Sequence, residues 1–486
     1  MINTIRNSIL LSIVVISKIM HLKHFSKDLM SIHVWRQAQT QSTIINFYEE
    51  DMNIFNPRRN DRGDSDGIFR MEFPLMQWLV ACQYKIFGNH LIITRVFMFL
   101  IGLLSILGIY NLLDVLFHNT ILSVIGTWAF NFSPGFYYYT INPLPDNFAL
   151  CCSIWGLALF FNWYNKNKTA YLVFSSILFS IGALCKLPFI IYYIVPIVYF
   201  FNEFIKNGST KKSLNHALLV ISFSILPIIW YALVIPHWNG NITIKGMIDN
   251  HESFSKLLDY YQHNLISTLP ELLIGYGSLI FFFSGFFFLL RNKAYRSPKF
   301  LLLLSLSILT ILYYFFEANA IAKTHDYYLF PFYPQLFILV AYGGFNLYNS
   351  RIRFNRILTY ILLLVIPIIS YLRMQGRWNP DSPGFNKDLL IYKNELRNAV
   401  PKDALVIAGN DASHFIFFYY IDKKGWGYHN DNLSPERLKT MIAKGAEYLY
   451  TDSELLLNNV DVVNYIDGLI LEKGTIRIYR LKKFNL

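Results

Sequence analysis

Charged residues are scarce in this chain of 486 residues, because Asp, Glu, Lys and Arg together make up only 15% of it. A soluble domain carries about a quarter of such residues, so the composition excludes a disordered chain, a coiled coil and an ordinary soluble enzyme. Cysteines are also few: the four lie within or beside apolar runs, with no CxxC spacing. Neither a disulfide framework nor a cysteine metal site is therefore expected. The sequence also lacks a GxGxxG motif, a Walker loop and an internal repeat.

Apolar side chains dominate instead: 54% of the residues are hydrophobic, with 42 Phe and 33 Tyr. A membrane helix needs about 20 mostly apolar residues. The runs predict an α-helical polytopic membrane bundle of about eleven spans. The predicted spans are 5–22, 91–117, 121–141, 147–163, 169–185, 187–204, 214–235, 271–290, 299–317, 328–348 and 356–372.

The net charge of +12 has a membrane explanation. Lys and Arg collect in alternate short loops, and cytoplasmic loops of membrane proteins are enriched in these residues. The basic loop residues are Lys166, Lys168, Lys206, Lys211, Lys212, Arg291, Lys293, Arg296, Lys299, Arg351, Arg353 and Arg356. This pattern predicts a cytoplasmic N-terminus, an outer C-terminal segment and no nucleic-acid partner. A signal peptide is the alternative for the first span, but no small-residue cleavage site follows it.

The predicted organisation is a membrane domain over 1–372 and a soluble outer α/β domain over 373–486. Within the membrane domain, 23–90 form a large outer loop that ends in an interfacial helix from Pro74 to Phe87, and 236–270 form a second outer loop. In the C-terminal domain, short strands are expected at 404–408, 447–450 and 475–481. A helix is expected after Ser434, with Pro435 at its first position.

Two carboxylates stand at predicted helix starts on the outer side. Asp146 follows a proline-rich turn, where it serves either as an N-cap or as a general acid or base held by the helix dipole. Glu72 precedes the interfacial helix. It is either a solvated loop acid or a residue that binds a metal or an acceptor hydroxyl.

Cationic and aromatic residues lie at the same end of the bundle. Arg36 could hold a phosphate through two hydrogen bonds, with Trp35 and Gln37 beside it for lipid or sugar, although the run also suits an anchor at the headgroups. Lys186 interrupts an apolar stretch, either as a snorkelling residue or as a second cation for a lipid phosphate. His33 is also close to Arg36 in the sequence.

A further cluster of titratable and aromatic residues lies just before a predicted span: His325, Asp326, Tyr327 and Tyr328. It is either an interface belt with a His–Asp pair or part of the site. His237 in the second loop is a candidate metal ligand together with Glu72, so that a divalent metal is one alternative and no cofactor the other. A transporter would place polar groups near mid-membrane. The predicted spans are apolar at their centres, which favours chemistry at the membrane surface.

The order of these motifs resembles the polytopic GT-C glycosyltransferases, specifically the family 39 group with protein O-mannosyltransferases and aminoarabinose transferases. The resemblance covers most of 1–372 and rests on the Arg36 loop, Glu72-Phe73-Pro74, Pro145-Asp146, Lys186-Leu187-Pro188 and His325 to Tyr328. It implies transfer of a sugar, with inversion, from a polyprenyl-phosphate donor to a glycan, lipid or protein acceptor at the outer face of the cytoplasmic membrane.

The resemblance also implies residue roles. Asp146 and Glu72 would be the acidic residues of the site, Arg36 and Lys186 would contact the donor phosphate, and Tyr327 or Tyr328 would add a hydrogen bond. In place of the Asp that many relatives carry early in the first loop, this sequence has His33, so that Asp28 or His33 becomes an alternative base. A transporter or flippase for lipid-linked sugars and a non-catalytic membrane assembly protein are the rival functions.

Overall fold

The computed structural model describes residues 2–208, 210–238, 252–323, 325–430, 432–457 and 460–482. Contacts between residues divide the chain into two compact units. The helical unit comprises Met1–Ser26, Met71–Phe73 and Thr94–Gly376, and the sheet unit comprises Lys27–Arg70, Pro74–Ile93 and Arg377–Leu486. The boundaries of these units differ from the predicted domain boundary at residue 372. The division into domains 1–372 and 373–486 stays a prediction.

The helical unit is built of long apolar helices separated by short 3₁₀ segments, as expected for a polytopic bundle. Its α-helices are Ile2–His21, Leu91–Phe117, Thr120–Asn131, Pro134–Tyr139, Pro145–Lys166, Thr169–Cys185, Ile194–Asn207, Lys211–Val234, Phe254–His263, Leu279–Arg291, Pro298–Lys323, Tyr333–Tyr348 and Arg353–Met374. Its longer 3₁₀ helices are Leu187–Tyr193 and Asp326–Phe332, and Asn264–Ile274 is a π-helix.

Seven helical segments are long and apolar enough to cross a membrane, or up to eight if a pair bent by 90° forms one span, counted over the described residues. The seven are Leu91–Phe117, Pro145–Lys166, Leu187–Asn207, Lys211–His237, Pro298–Ala322, Asp326–Tyr348 and Arg353–Trp378. The chain is thus an integral multi-pass membrane protein, but the predicted count of eleven is not confirmed.

Three local features explain most of the difference between the predicted count of eleven spans and the seven or eight of the structure. The run 121–141 divides after Asn131, because Ser133 caps a new helix with Pro134 in its first turn. The run 169–185 gives a helix that ends at Cys185 and is too short to count as a span. Within the described part of the predicted second loop, a helix already begins at Phe254 and continues into the bent pair.

The sheet unit combines helices from the first loop with an α/β segment. Its α-helices are Val34–Glu49, Leu75–Phe87, Lys387–Ile391, Lys393–Asn398, Ile416–Ile421, Pro435–Ala443, Glu454–Leu457 and Val460–Val463. Its strands are β1 Leu405–Gly409, β2 Lys424–Gly427, β3 Tyr448–Thr451, β4 Ile466–Lys473 and β5 Ile476–Leu481. The strand order is β2-β1-β3-β5-β4, parallel among β2, β1 and β3 and antiparallel beyond.

Alternation along β1 supplies both faces of this sheet. Val406 and Ala408 belong to a buried cluster that includes Val34 and Ala38 of the first loop. Ile407 points the other way, into a second cluster with Leu438 of the helix Pro435–Ala443. Successive strand residues face opposite sides, so both sides of the sheet are covered. The first outer loop and the C-terminal segment therefore share one core.

The sequence predictions for the C-terminal segment are largely confirmed. The helix begins at Pro435, and the Ser434 side chain accepts a hydrogen bond from the Arg437 N–H. Trp426 is buried, lies in β2 and donates its indole N–H to the Gly63 carbonyl at 2.8 Å, so its ring is packed in the fold and not presented to solvent.

Candidate active site

A proline-rich turn positions Asp146 in the first turn of the helix Pro145–Lys166. Arg95 holds this turn, because its guanidinium donates to the Asn142 Oδ1 at 3.0 Å and to the Ile141 carbonyl at 3.3 Å. Both Asp146 and Arg95 are fully buried. The carboxylate is therefore fixed at a helix N-terminus, where the free N–H groups favour negative charge.

Lys186 occupies the break between the helix Thr169–Cys185 and the 3₁₀ helix that starts at Leu187. Its backbone is extended, with φ of −158°, and Pro188 prevents the α-helix from continuing. The Lys186 Nζ lies 3.4 Å from the Asp146 Oδ1, and both side chains are almost completely buried. Two sequence candidates 40 positions apart thus form a buried ion pair.

Aromatic rings complete the surroundings of the Lys186 ammonium. Its Nζ lies 4.5 Å from the ring centroid of Tyr328 and 5.5 Å from that of Tyr327. His325 stacks on Tyr328 with centroids 4.5 Å apart, and its Nδ1 is 2.8 Å from the Tyr327 hydroxyl. Cation–π contacts of this kind attract the ammonium to the ring faces.

Asp326 has a hydrogen-bond partner in a distant part of the chain. Its Oδ1 accepts a hydrogen bond from the Tyr139 hydroxyl at 2.5 Å. The amide of Asn147 in turn donates to the Tyr139 carbonyl. Asp326 therefore ties the His325 segment to the turn that carries Asp146.

A cavity of about 300 Å³ opens beside Lys186. Glu72 reaches it from a short segment that hydrogen bonds fix in the helical unit: Phe73 N–H to the Leu184 carbonyl at 2.9 Å and the Trp230 indole N–H to the Met71 carbonyl at 3.0 Å. The described lining residues are Met71, Glu72, Lys186, Leu187, Pro188, Ile190, Ile191, Tyr231, Ile235, Trp238, Tyr313, Phe316, Glu317 and Tyr328. One cation and two carboxylates thus face a mostly apolar pocket.

The lining residues that sequence analysis did not single out include Glu317 and Tyr313. Glu317 is the last residue of the predicted span 299–317, but the helix continues to Lys323 and Glu317 is only 3% exposed. An acid inside a membrane helix is a functional-site signal in its own right. Applying that rule to the last residue of the run would have identified Glu317.

The first-loop candidates lie in the sheet unit. Arg36 is buried in the helix Val34–Glu49 and donates to the Gln39 side chain. Gln37 is buried and donates to the Ile32 carbonyl at 3.1 Å, whereas Trp35 and His33 are partly exposed. His33 precedes the helix with a left-handed backbone, φ 56°. Their predicted roles stay predictions.

Asp28 is an ion-paired carboxylate of the same unit. It contacts the Lys393 ammonium and accepts a hydrogen bond from the Tyr419 hydroxyl at 2.6 Å. Burial alone would raise the pKa of Asp28, but Lys393 and Tyr419 outweigh it and hold the pKa below its usual value. A carboxylate stabilised in this way is a weaker base, which disfavours Asp28 as the catalytic one.

The low pKa of Asp28 predicts a pH-dependent stability. Since the pKa is lower in the folded state, the stabilisation is present above about pH 4 and is lost as the pH falls through the folded-state value. We expect Asp28→Asn to lower the melting temperature at pH 6 to 7, with the gap to wild type narrowing below about pH 4. Thermal unfolding in detergent across this range measures it, and a gap independent of pH would contradict the assignment.

A metal site with Glu72 and His237 as ligands stays a prediction. Among the described residues, no group of three or more His, Cys, Asp and Glu side chains could hold a metal ion. His237 is exposed at the end of the span Lys211–His237.

Comparison with known proteins places this geometry in context. The family described as dolichyl-phosphate-mannose-protein mannosyltransferase matches residues 72–231, the range that holds Glu72, Asp146 and Lys186. No curated protein sequence matches the chain significantly.

Solved structures match over nearly the whole chain. ArnT from Cupriavidus metallidurans, in the apo state, has 12% identity and a TM-score of 0.68, with 98% of this chain and 97% of that chain covered. The same enzyme bound to undecaprenyl phosphate has 13% identity and a TM-score of 0.66, with 98% of this chain and 97% of that chain covered. The Archaeoglobus fulgidus oligosaccharyltransferase has 14% identity and a TM-score of 0.60, with 99% of this chain and 75% of that chain covered. The fold is of the GT-C type, and the resemblance to the GT-C glycosyltransferases stated from the sequence is confirmed.

Proposed function

We propose that this chain transfers a sugar from a polyprenyl-phosphate donor to an acceptor hydroxyl, at the outer face of the cytoplasmic membrane. The observation that carries the proposal is the cavity in which Lys186, fixed by Asp146, faces Glu72. A buried ammonium next to apolar walls suits an anionic headgroup with a hydrocarbon tail. The family match and the GT-C fold support the same chemistry.

The proposed reaction is a single displacement at the anomeric carbon. The acceptor oxygen attacks this carbon, the bond from the carbon to the phosphate oxygen breaks, and its electron pair leaves with the polyprenyl phosphate. Negative charge therefore grows on the phosphate, where the Lys186 ammonium stabilises it. One displacement inverts the configuration of the sugar.

The acceptor proton needs a carboxylate that faces the cavity. Glu72 lines the cavity, whereas Asp146 is enclosed against Lys186 and serves to position it. We therefore assign Glu72 as the general base that takes the proton, and Asp146 as the positioning residue. Arg36 and the tyrosines Tyr327 and Tyr328 stay candidate donor contacts, and His33 and Asp28 become secondary candidates for the base.

The assignment of Glu72 is tested with Glu72→Gln. General base catalysis contributes about 10²–10⁴-fold, so we expect kcat to fall at least about 100-fold with little change in the KM for the donor. Release of polyprenyl phosphate from a labelled polyprenyl-phosphate sugar, with membranes of the source cell as acceptor, measures it. The matched control is Glu203→Gln, since Glu203 bonds to Asn207 outside the cavity lining. Full activity of Glu72→Gln would refute the role.

One observation favours the transporter or flippase alternative, namely the carboxylate of Glu317 inside a membrane helix. A flippase would move the lipid-linked sugar without forming a new glycosidic bond. The same assay separates the two functions, because only a transferase links labelled sugar to the acceptor. Loss of donor from one leaflet without labelled product would favour the flippase.

A further inference from the structure

Two polar atoms in the cavity wall have no hydrogen-bond partner within the described part of the chain. They are the Glu317 Oε2 and the Tyr313 hydroxyl, and both atoms are buried. The residues lie four positions apart on the helix Pro298–Lys323, so they share one face of it. Both line the cavity beside Lys186.

Buried polar atoms in folded proteins are almost always hydrogen-bonded, and each exception calls for an explanation. Here the two exceptions are neighbours and border the same empty space. A ligand with several hydrogen-bonding groups would satisfy both at once. Phe316, which lies between them in the chain, adds apolar surface to the same wall.

The charges of the cavity decide which part of a ligand these atoms serve. Lys186 is the one cation among the described lining residues, and Glu72 and Glu317 are the acids. A phosphate is attracted to Lys186, whose ammonium carries the opposite charge. A neutral group that donates hydrogen bonds suits Glu317 instead.

We infer that Glu317 and Tyr313 form a sugar subsite, in which they hydrogen-bond ring hydroxyls of the donor while Lys186 holds its phosphate. A carboxylate accepts from hydroxyls through two oxygens, and a tyrosine hydroxyl both donates and accepts. The subsite selects sugars with free neighbouring hydroxyls. The inference rests on the proposed function, because it assumes a polyprenyl-phosphate sugar in this cavity.

The experiment compares two ligands on the full-length protein in detergent. The first is polyprenyl phosphate without a sugar. The second is polyprenyl phosphate that carries a sugar, tested separately with mannose, glucose and arabinose. The variants are Glu317→Gln, Glu317→Ala and Tyr313→Phe, each checked for its melting temperature. The matched control is Tyr314→Phe, since the Tyr314 hydroxyl donates to the Tyr261 carbonyl at 3.3 Å and the residue lies outside the described cavity lining.

The expected result is that at least one sugar-bearing lipid binds wild type more tightly than polyprenyl phosphate does. This advantage should fall about tenfold in Glu317→Ala and severalfold in Tyr313→Phe, and stay unchanged in Tyr314→Phe. Affinity for polyprenyl phosphate should be unaffected in all of them.

Three outcomes would overturn the sugar subsite. In the first, no sugar-bearing lipid binds wild type more tightly than polyprenyl phosphate. In the second, the advantage survives in both Glu317→Ala and Tyr313→Phe. In the third, these variants lose as much affinity for polyprenyl phosphate as for the sugar-bearing lipids. If polyprenyl phosphate itself fails to bind wild type, or binds Lys186→Met as tightly as wild type, the proposed function fails instead. The two failures are therefore distinguishable in one set of measurements.

Discussion

Lys186→Met is expected to reduce sugar transfer about 10²–10³-fold, the range found when a charge-stabilising donor is removed from an active site. The ammonium is buried 3.4 Å from Asp146 and lines the cavity, so no water replaces it when negative charge grows on the leaving phosphate. Initial rates of polyprenyl phosphate release measure the loss. The affinity for polyprenyl phosphate should fall as well.

The control for Lys186 is another lysine near the bundle. Lys299 lies at the start of the helix Pro298–Lys323, outside the described cavity lining, and donates to the Val115 carbonyl at 3.1 Å. Lys299→Met removes the same charge and should leave transfer within about twofold of wild type, as surface changes usually do. Equal losses in the two variants would mean that Lys186 has no special role.

Asp146→Asn is expected to destabilise the protein, because it leaves the Lys186 ammonium buried without its carboxylate. Breaking a buried ion pair from one side costs about 3–5 kcal/mol. The double variant Asp146→Asn/Lys186→Met removes both charges and should recover most of the melting temperature. Transfer should stay lost in both, because neither variant holds a positioned cation.

This comparison separates positioning from simple folding. If Asp146 only stabilised the fold, the sugar transfer catalysed by a Lys186→Arg variant would not depend on whether Asp146 is present. We instead expect Lys186→Arg to retain some transfer only when Asp146 is present. A double variant less stable than Asp146→Asn alone would contradict the pairing.

Local patterns predicted much of the fold. The cap at Ser434 with Pro435 predicted where a helix begins, and alternation predicted β5. By contrast, β2 was missed, because its glycines are typical of a turn. It is stabilised by partners distant in sequence: Gly425 donates to the Asn60 carbonyl at 3.0 Å and accepts from the Arg62 N–H at 2.7 Å.

The candidate site was also predicted only in part, because local sequence patterns indicate single residues but not contacts between distant ones. The breaks at Pro145 and Pro188 are local, so Asp146 and Lys186 were identified as unusual residues, and Glu72 by its place before a helix. Their pairing is not local, because 40 residues separate the two charges. Tyr84, in the helix predicted to lie at the membrane interface, is buried, and the distant Gln41 donates to its hydroxyl at 2.7 Å.

The most direct test of the account is a structure of this protein with polyprenyl phosphate bound. We predict density for the phosphate within hydrogen-bonding distance of the Lys186 Nζ, in the cavity lined by Glu72 and Tyr328. Phosphate density at another site, with this cavity empty, would contradict the account.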